Sequence, residues 1–133
     1  PEVSSIGSFT FCKCEKLKSV TLEKATTIGQ SAFSSCSELS EVSIPSVQTL
    51  GTSAFRLCTS LENFELNNIT SLNGKTFAKS GIKTIKLPEV KTMRENEFKD
   101  CIQLSKGNQT FKTSIRIKWN KKHYFVFDDI GRR

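Results

Sequence analysis

The sequence predicts an α/β solenoid, with short parallel strands on its concave face and short helices on its convex side. Three observations predict it. The phenylalanines Phe11, Phe33, Phe55, Phe77 and Phe98 stand in steps of 22, 22, 22 and 21, and a fixed period of this length marks units that bury their apolar faces only against neighbours. Within each period, Ala32, Phe33, Cys36 and Leu39, or Ala54, Phe55, Cys58 and Leu61, have helical spacing. The stretch that follows alternates instead, as in Val20-x-Leu22, Val42-x-Ile44, Phe64-x-Leu66 and Ile85-x-Leu87, the mark of a half-buried strand.

Each element follows from the residues in turn. Ile6-Gly7, Ile28-Gly29 and Leu50-Gly51 open the first three units; glycine there predicts a backbone shape that other residues resist, although Asn73 and Arg94 stand at the same place later. The helical segment comes next, then the strand. Pro45 and Pro88 follow directly and stop it. The fourth unit is one residue short between Ser80 and Ile82, with Gly81 at the joint. Stacked units set strands side by side at roughly 4.8 Å. A fifth strand would need apolar residues at 107 and 109 but finds Gly107 and Gln109. Thr113-Ser114-Ile115 still echoes Thr70-Ser71-Leu72; then Ile115, Ile117 and Trp119 alternate, and Asn120-Lys121-Lys122 offers a turn into Tyr124-Phe125-Val126-Phe127. Residues 1–109 therefore read as about five repeats, and residues 110–133 as a basic β-hairpin cap with one dry and one wet face.

The string from Ile28 to Pro45, I-G-x-x-A-F-x-x-C-x-x-L-x-x-V-x-I-P, resembles the BspA-type leucine-rich repeat family, as does Phe77-Ala78-Lys79-Ser80-Gly81-Ile82. The likeness spans about residues 3–104. It implies a right-handed leucine-rich-repeat solenoid, and a group found largely as surface or secreted adhesion-type proteins of bacteria and anaerobic protists.

Composition bounds the rest. The formal net charge is +7, but residues 1–104 carry 12 Lys/Arg against 11 Asp/Glu, whereas residues 105–133 carry eight against two. The basicity belongs to the tail. No apolar run approaches the ~18 residues of a membrane span. The chain has no initiator Met and enters at Pro1 partway through a repeat, so it reads as a piece of something longer.

Four cysteines, Cys14, Cys36, Cys58 and Cys101, share one repeat position, and Ser80 takes it in the fourth unit. A disulfide ladder or a metal site is one reading; a small buried thiol filling a tight slot is the other. The long spacing lacks the short paired intervals of zinc sites, and the serine says that small size is what the slot requires. Cys12 lies outside the pattern and is expected to be exposed. His123 is the single histidine and has no recognisable orienting carboxylate or nucleophile. There is no phosphate-cradling glycine loop, paired-carboxylate motif or nucleophile elbow. No catalytic residue, cofactor or metal is expected, and the chain is read as not an enzyme. Asn68-Ile69-Thr70 and Asn108-Gln109-Thr110 match the glycosylation pattern, which a chain rich in Asn, Ser and Thr also meets by chance.

The polar strand positions would line the concave face: Ser19, Thr21, Glu23, Glu41, Ser43, Asn63, Glu65, Asn67, Thr84 and Lys86. Short polar groups and mixed charge can bind a protein surface, and no aromatic platform is present for a sugar. The expected function is a non-enzymatic protein-binding or adhesion module at the cell surface or secreted. Its partner would be a host or neighbouring-cell surface protein or a matrix component, with no small-molecule substrate and no nucleic acid. The uncapped N-terminal rung is a further surface, for more repeats or for another copy. The alternative is an intracellular scaffold or nucleic-acid-binding protein that uses the basic C-terminal segment.

Overall fold

The computed structural model describes residues 3–87 and 97–101, and the strands at 110–113, 116–120 and 123–127. Five backbone coils lie on one another, each centred on a phenylalanine. Phe11, Phe33, Phe55, Phe77 and Phe98 form one row, with successive ring centroids 5.3, 5.4, 5.9 and 5.5 Å apart and planes within 8° of parallel. The last four rings are fully buried. Phe64 enters edge-on between Phe55 and Phe77, at 5.0 and 5.1 Å, the arrangement that the ring quadrupole favours.

Each of the first three coils contributes two short strands. One set, β1 (Ser5–Ile6), β3 (Thr27–Ile28) and β5 (Thr49–Leu50), precedes the glycine position and pairs in parallel, with Ile6, Ile28 and Leu50 in register. The alternation does not announce this set, because each strand is only two residues long. The other set comprises β2 (Ser19–Thr21), β4 (Glu41–Ser43), β6 (Asn63–Glu65) and β7 (Thr84–Leu87). Strand β2 pairs with β4, and β6 with β7, all parallel. Strand β8 (Thr110–Thr113) then joins β7, with Phe111 opposite Ile85.

Residues 107 and 109, the expected places of the fifth strand, lie outside the described residues. The parallel ladder runs on into the segment set apart by its charge. Beyond it, β9 (Arg116–Asn120) and β10 (His123–Phe127) pair antiparallel, Trp119 opposite Tyr124. Pro88, Met93, Arg94, Leu104, the Asn108 sequon, Ile115 and the turn at Lys121-Lys122 lie outside the described residues.

The expected helices are absent: the described residues contain no α-helix. The segment from Gly29 to Leu39 is a run of tight turns, and the repeating reason is left-handed backbone. Phe9, Ser31, Ser53 and Lys75 have φ between 52° and 60°, and Lys13, Ser35, Leu57, Lys79 and Asp100 between 59° and 64°. No helix survives two such residues per coil. What offsets their cost is a second hydrogen-bond system. The amides of Ser31, Phe33 and Ser35 donate to the carbonyls of Thr52, Ala54 and Arg56 in the next coil at 2.8–2.9 Å, while those of Ala32, Ser34 and Cys36 close turns within their own coil. An α-helix would spend every one of these donors on itself. The apolar spacing still works, since Ala32, Phe33, Cys36 and Leu39 are all fully buried.

The recurring glycine answers to crowding, not to an unusual dihedral: among the described glycines only Gly74 has a positive φ. A Cβ on Gly29 would lie 2.7 Å from the Ser8 nitrogen, and one on Gly51 would lie 2.5 Å from the Gly29 carbonyl carbon. At Gly7, in the first described coil, the nearest atom is the Thr10 hydroxyl at 3.4 Å. At the shortened joint, a Cβ on Gly81 would collide with the Thr59 carbonyl.

Candidate interaction surface

Strand alternation places the polar positions outward. Val20 and Val42 pack against the core while Phe64 and Ile85 are buried in it. Their neighbours Ser19, Thr21, Glu41, Ser43, Asn63, Glu65 and Lys86 are exposed, and Thr84 is half-buried. Glu23 and Asn67 lie just past their strands and are also exposed. Register sets Ser19 beside Glu41 and Thr21 beside Ser43; further along, Asn63 stands beside Thr84 and Glu65 beside Lys86. The Thr84 hydroxyl donates to the Asn63 side-chain carbonyl. Between β4 and β6 no ladder forms, so the face consists of two bonded pieces.

Side chains stitch the coils beneath this face. The Ser46 hydroxyl donates to the Glu23 carbonyl at 2.8 Å, and the Asn68 amide to the Pro45 carbonyl at 3.0 Å. The sequon asparagine is therefore exposed but already bonded. Glu62 and Lys83 form an ion pair at 2.9 Å, both half exposed, and it is worth less than about 1 kcal/mol at such a site. Beside the shortened joint lies an open groove of about 300 Å³ lined by Thr59, Glu62, Lys79, Ser80, Gly81, Lys83 and Asp100.

The shared cysteine slot is more specific than a small space. The Cys36, Cys58 and Cys101 thiols each donate to a phenylalanine carbonyl of the preceding coil: Phe11, Phe33 and Phe77, at 3.1, 3.1 and 2.9 Å. Ser80, in the same slot, has its hydroxyl 3.5 Å from the Cys101 thiol. Burial pushes the Cys58 thiol up to about 12, and Cys36 and Cys101 up to about 11. All five cysteines are free thiols, Cys12 and Cys14 only half-buried. No group of three His, Cys, Asp or Glu that could hold a metal occurs among the described residues.

One polar centre has no counterpart among the expectations. Glu97 is fully buried and accepts hydrogen bonds from the Gly74 and Thr76 amides at 2.7 and 3.2 Å and from the Thr76 hydroxyl at 2.6 Å. The only hint in the sequence is that Thr76 and Glu97 occupy the position held by Ala32 and Ala54. At the other end of the stack, Phe11, Cys14, Leu17, Val20 and Leu22 are only partly buried, and Phe9 is 55% exposed.

The repeat can now be placed among known proteins. A match to the BspA-type leucine-rich repeat region covers residues 1–105 in six copies. The chain belongs to the BspA-type leucine-rich repeat family. None of the curated proteins matches it. Among solved structures, it is similar to a leucine-rich cell surface protein from Faecalibacterium prausnitzii A2-165, at 19% identity and a TM-score of 0.46 over 97% of this chain. The chain spans about half of that protein, 48% of its length. BspA-type repeats are typically non-enzymatic, and leucine-rich-repeat domains generally mediate protein interactions.

Proposed function

We propose that this chain is a non-enzymatic adhesion module of a cell-surface or secreted protein, and that the strand face recognises the partner. In this reading the stack is right-handed and curves toward that face. The observation that carries the reading is the placement of short, exposed polar side chains in register on coils whose interior is closed. Such a face arrives pre-organised, so little ordering cost opposes binding. Its partner is a protein of a host or neighbouring cell, or of the surrounding matrix.

The test is a binding screen of the immobilised chain against surface and matrix proteins, run beside the variant Ser43→Lys/Asn63→Lys/Thr84→Lys. These positions are solvent-facing or half-buried, so the fold is retained. Every captured partner is expected to weaken at least tenfold on the variant. Partners held equally by both forms would refute the strand face as the site.

A further inference from the structure

A second face of the stack is polar without being charged. It is built on β1, β3 and β5 and the residues beside them. Three columns of exposed side chains climb it: one runs through Thr27 and Thr49 in strand register, one through Thr26 and Gln48, and one through Gln30 and Thr52. With their counterparts in the first coil these make nine positions; all nine hold Ser, Thr or Gln, and all nine are exposed. A quarter of the chain is charged, so an uncharged patch of this extent is not what composition alone would give. The fourth coil extends it with Thr70 and Ser71, and Lys24 and Lys75 stand at its margins.

Most of its hydrogen-bonding capacity is unspent. The Thr26 hydroxyl donates to the Ser4 carbonyl at 3.5 Å and the Thr52 hydroxyl to the Asn73 carbonyl at 3.3 Å. The other seven side chains make no bond among the described residues. Each hydroxyl can donate and accept at once, and each amide carries both functions. An aromatic ring stands at the edge of the array. Phe9 follows Ser8 directly, its amide donates to the Gln30 carbonyl at 2.9 Å, and its side chain is exposed where the next two coils have Ser31 and Ser53.

We infer that this face binds an uncharged polysaccharide lying along the stack, its hydroxyls met by the Ser, Thr and Gln columns and one sugar ring stacked on Phe9. The chemistry selects this ligand over others. A nucleic acid or acidic polymer needs Lys or Arg to displace its counterions, and none occurs from Ala25 to Phe55. A charged protein surface would lose hydration here without meeting an opposite charge. Sugar hydroxyls donate and accept together, as those of the face do, and the C–H groups of a sugar ring suit the negative face of an aromatic ring. Rungs about 4.8 Å apart give a track of roughly 15 Å over four coils, which a chain of repeating units follows and a single sugar does not fill. Each bond replaces one to water, so single contacts are weak and binding depends on several rungs acting together. The site is separate from the strand face of β2, β4, β6 and β7, and neither reading depends on the other.

The experiment is retention of the full chain on bead-coupled neutral polysaccharides (a glucan, a mannan and a galactan), with alginate and heparin as anionic probes, at about 0.05 M and about 0.5 M salt. Retention is expected on at least one neutral polysaccharide and should change less than about twofold between the two salts, since no ion pair holds it. The variant Thr27→Glu/Thr49→Glu should cut that retention about tenfold by burying carboxylates against a neutral ligand, and Phe9→Ser about fivefold by removing the stacking ring. Amide chemical-shift mapping of the unsubstituted chain with oligosaccharides of the retained polymer locates the site without relying on any variant; shifts are expected at Phe9, Thr27, Gln30, Thr49 and Thr52. No retention on any neutral polysaccharide overturns the inference, and so does retention confined to alginate or heparin that salt removes. Neutral binding that survives Thr27→Glu/Thr49→Glu, or shifts confined to β2, β4, β6 and β7, overturns it equally.

Discussion

Replacing Gly51 with alanine should be among the most damaging single-methyl changes in this chain, and the same change at Gly7 should be harmless. At Gly51 the new Cβ would meet the Gly29 carbonyl carbon at 2.5 Å and the Gln30 Cα at 2.7 Å. Both are backbone atoms and neither can rotate aside. Relief requires the second and third coils to part by about 1 Å, and a gap of that size forfeits a quarter to a half of each van der Waals contact it opens. It also stretches the bond from the Gly51 amide to the Ile28 carbonyl, now 2.8 Å, and the Phe33–Phe55 stack, now 5.4 Å. Overpacking typically costs about 1–3 kcal/mol; with rigid backbone on both sides, about 3 kcal/mol is expected here. At an m-value of about 2 kcal/mol per molar, the urea midpoint should fall by about 1.5 M. Gly7 has only the Thr10 hydroxyl at 3.4 Å and no positive φ, so Gly7→Ala should be neutral or stabilising by about 0.5 kcal/mol through the unfolded chain. Urea unfolding of the two variants decides it. Equal costs, or a neutral Gly51→Ala, would refute coil-on-coil crowding as the reason for the glycine.

The thiols give further tests. In native protein at pH 8 a disulfide-exchange reagent should titrate Cys12 and Cys14 quickly and reach Cys36, Cys58 and Cys101 only on unfolding. Because burial raises the thiol pKa of these three from 9.0 to about 11–12, their contribution to stability is complete below pH 9 and is lost as pH rises through about 11 to 12; a flat urea midpoint from pH 8 to 11.5 would contradict this. Cys58→Ser should cost less than Cys58→Val, which removes the thiol bond to the Phe33 carbonyl, leaves it only the Cys36 amide at 3.3 Å, and costs about 1 kcal/mol. Glu97→Ala strips three donors of their acceptor and should cost about 3 kcal/mol in the same assay. Phe55→Ala, with two stacked and one edge-on ring neighbour, should cost about 3–5 kcal/mol, and Phe11→Ala, at the open end, clearly less.

The phenylalanine row was fully legible because identical residues at a fixed interval have nowhere to go except against one another. Inward Val42 and Phe64 and outward Glu41 and Asn63 followed from strand alternation for the same reason. The turns were not legible. Ala32, Phe33, Cys36 and Leu39 satisfy both a helix and a folded loop, and what separates the two is the destination of the Phe33 amide, in the neighbouring coil. Glycine at 29 and 51 was visible, but a missing side chain does not say whether dihedral or crowding requires it. The cysteine slot showed its size through Ser80 yet hid the bonds that the Cys36, Cys58 and Cys101 thiols make to the neighbouring coil. Glu97 was hidden further, since a carboxylate at an alanine position reads as exposed until the Gly74 and Thr76 amides that converge on it are seen.

Scalar couplings across hydrogen bonds, measured by NMR on labelled protein, test the stack most directly. The Phe33 amide nitrogen should couple to the Ala54 carbonyl carbon and the Phe55 amide to that of Thr76, each 21 residues onward. Coupling of the Phe33 amide to the Gly29 carbonyl instead would mean a helix within one coil, and the bonded pile of coils described above would be wrong.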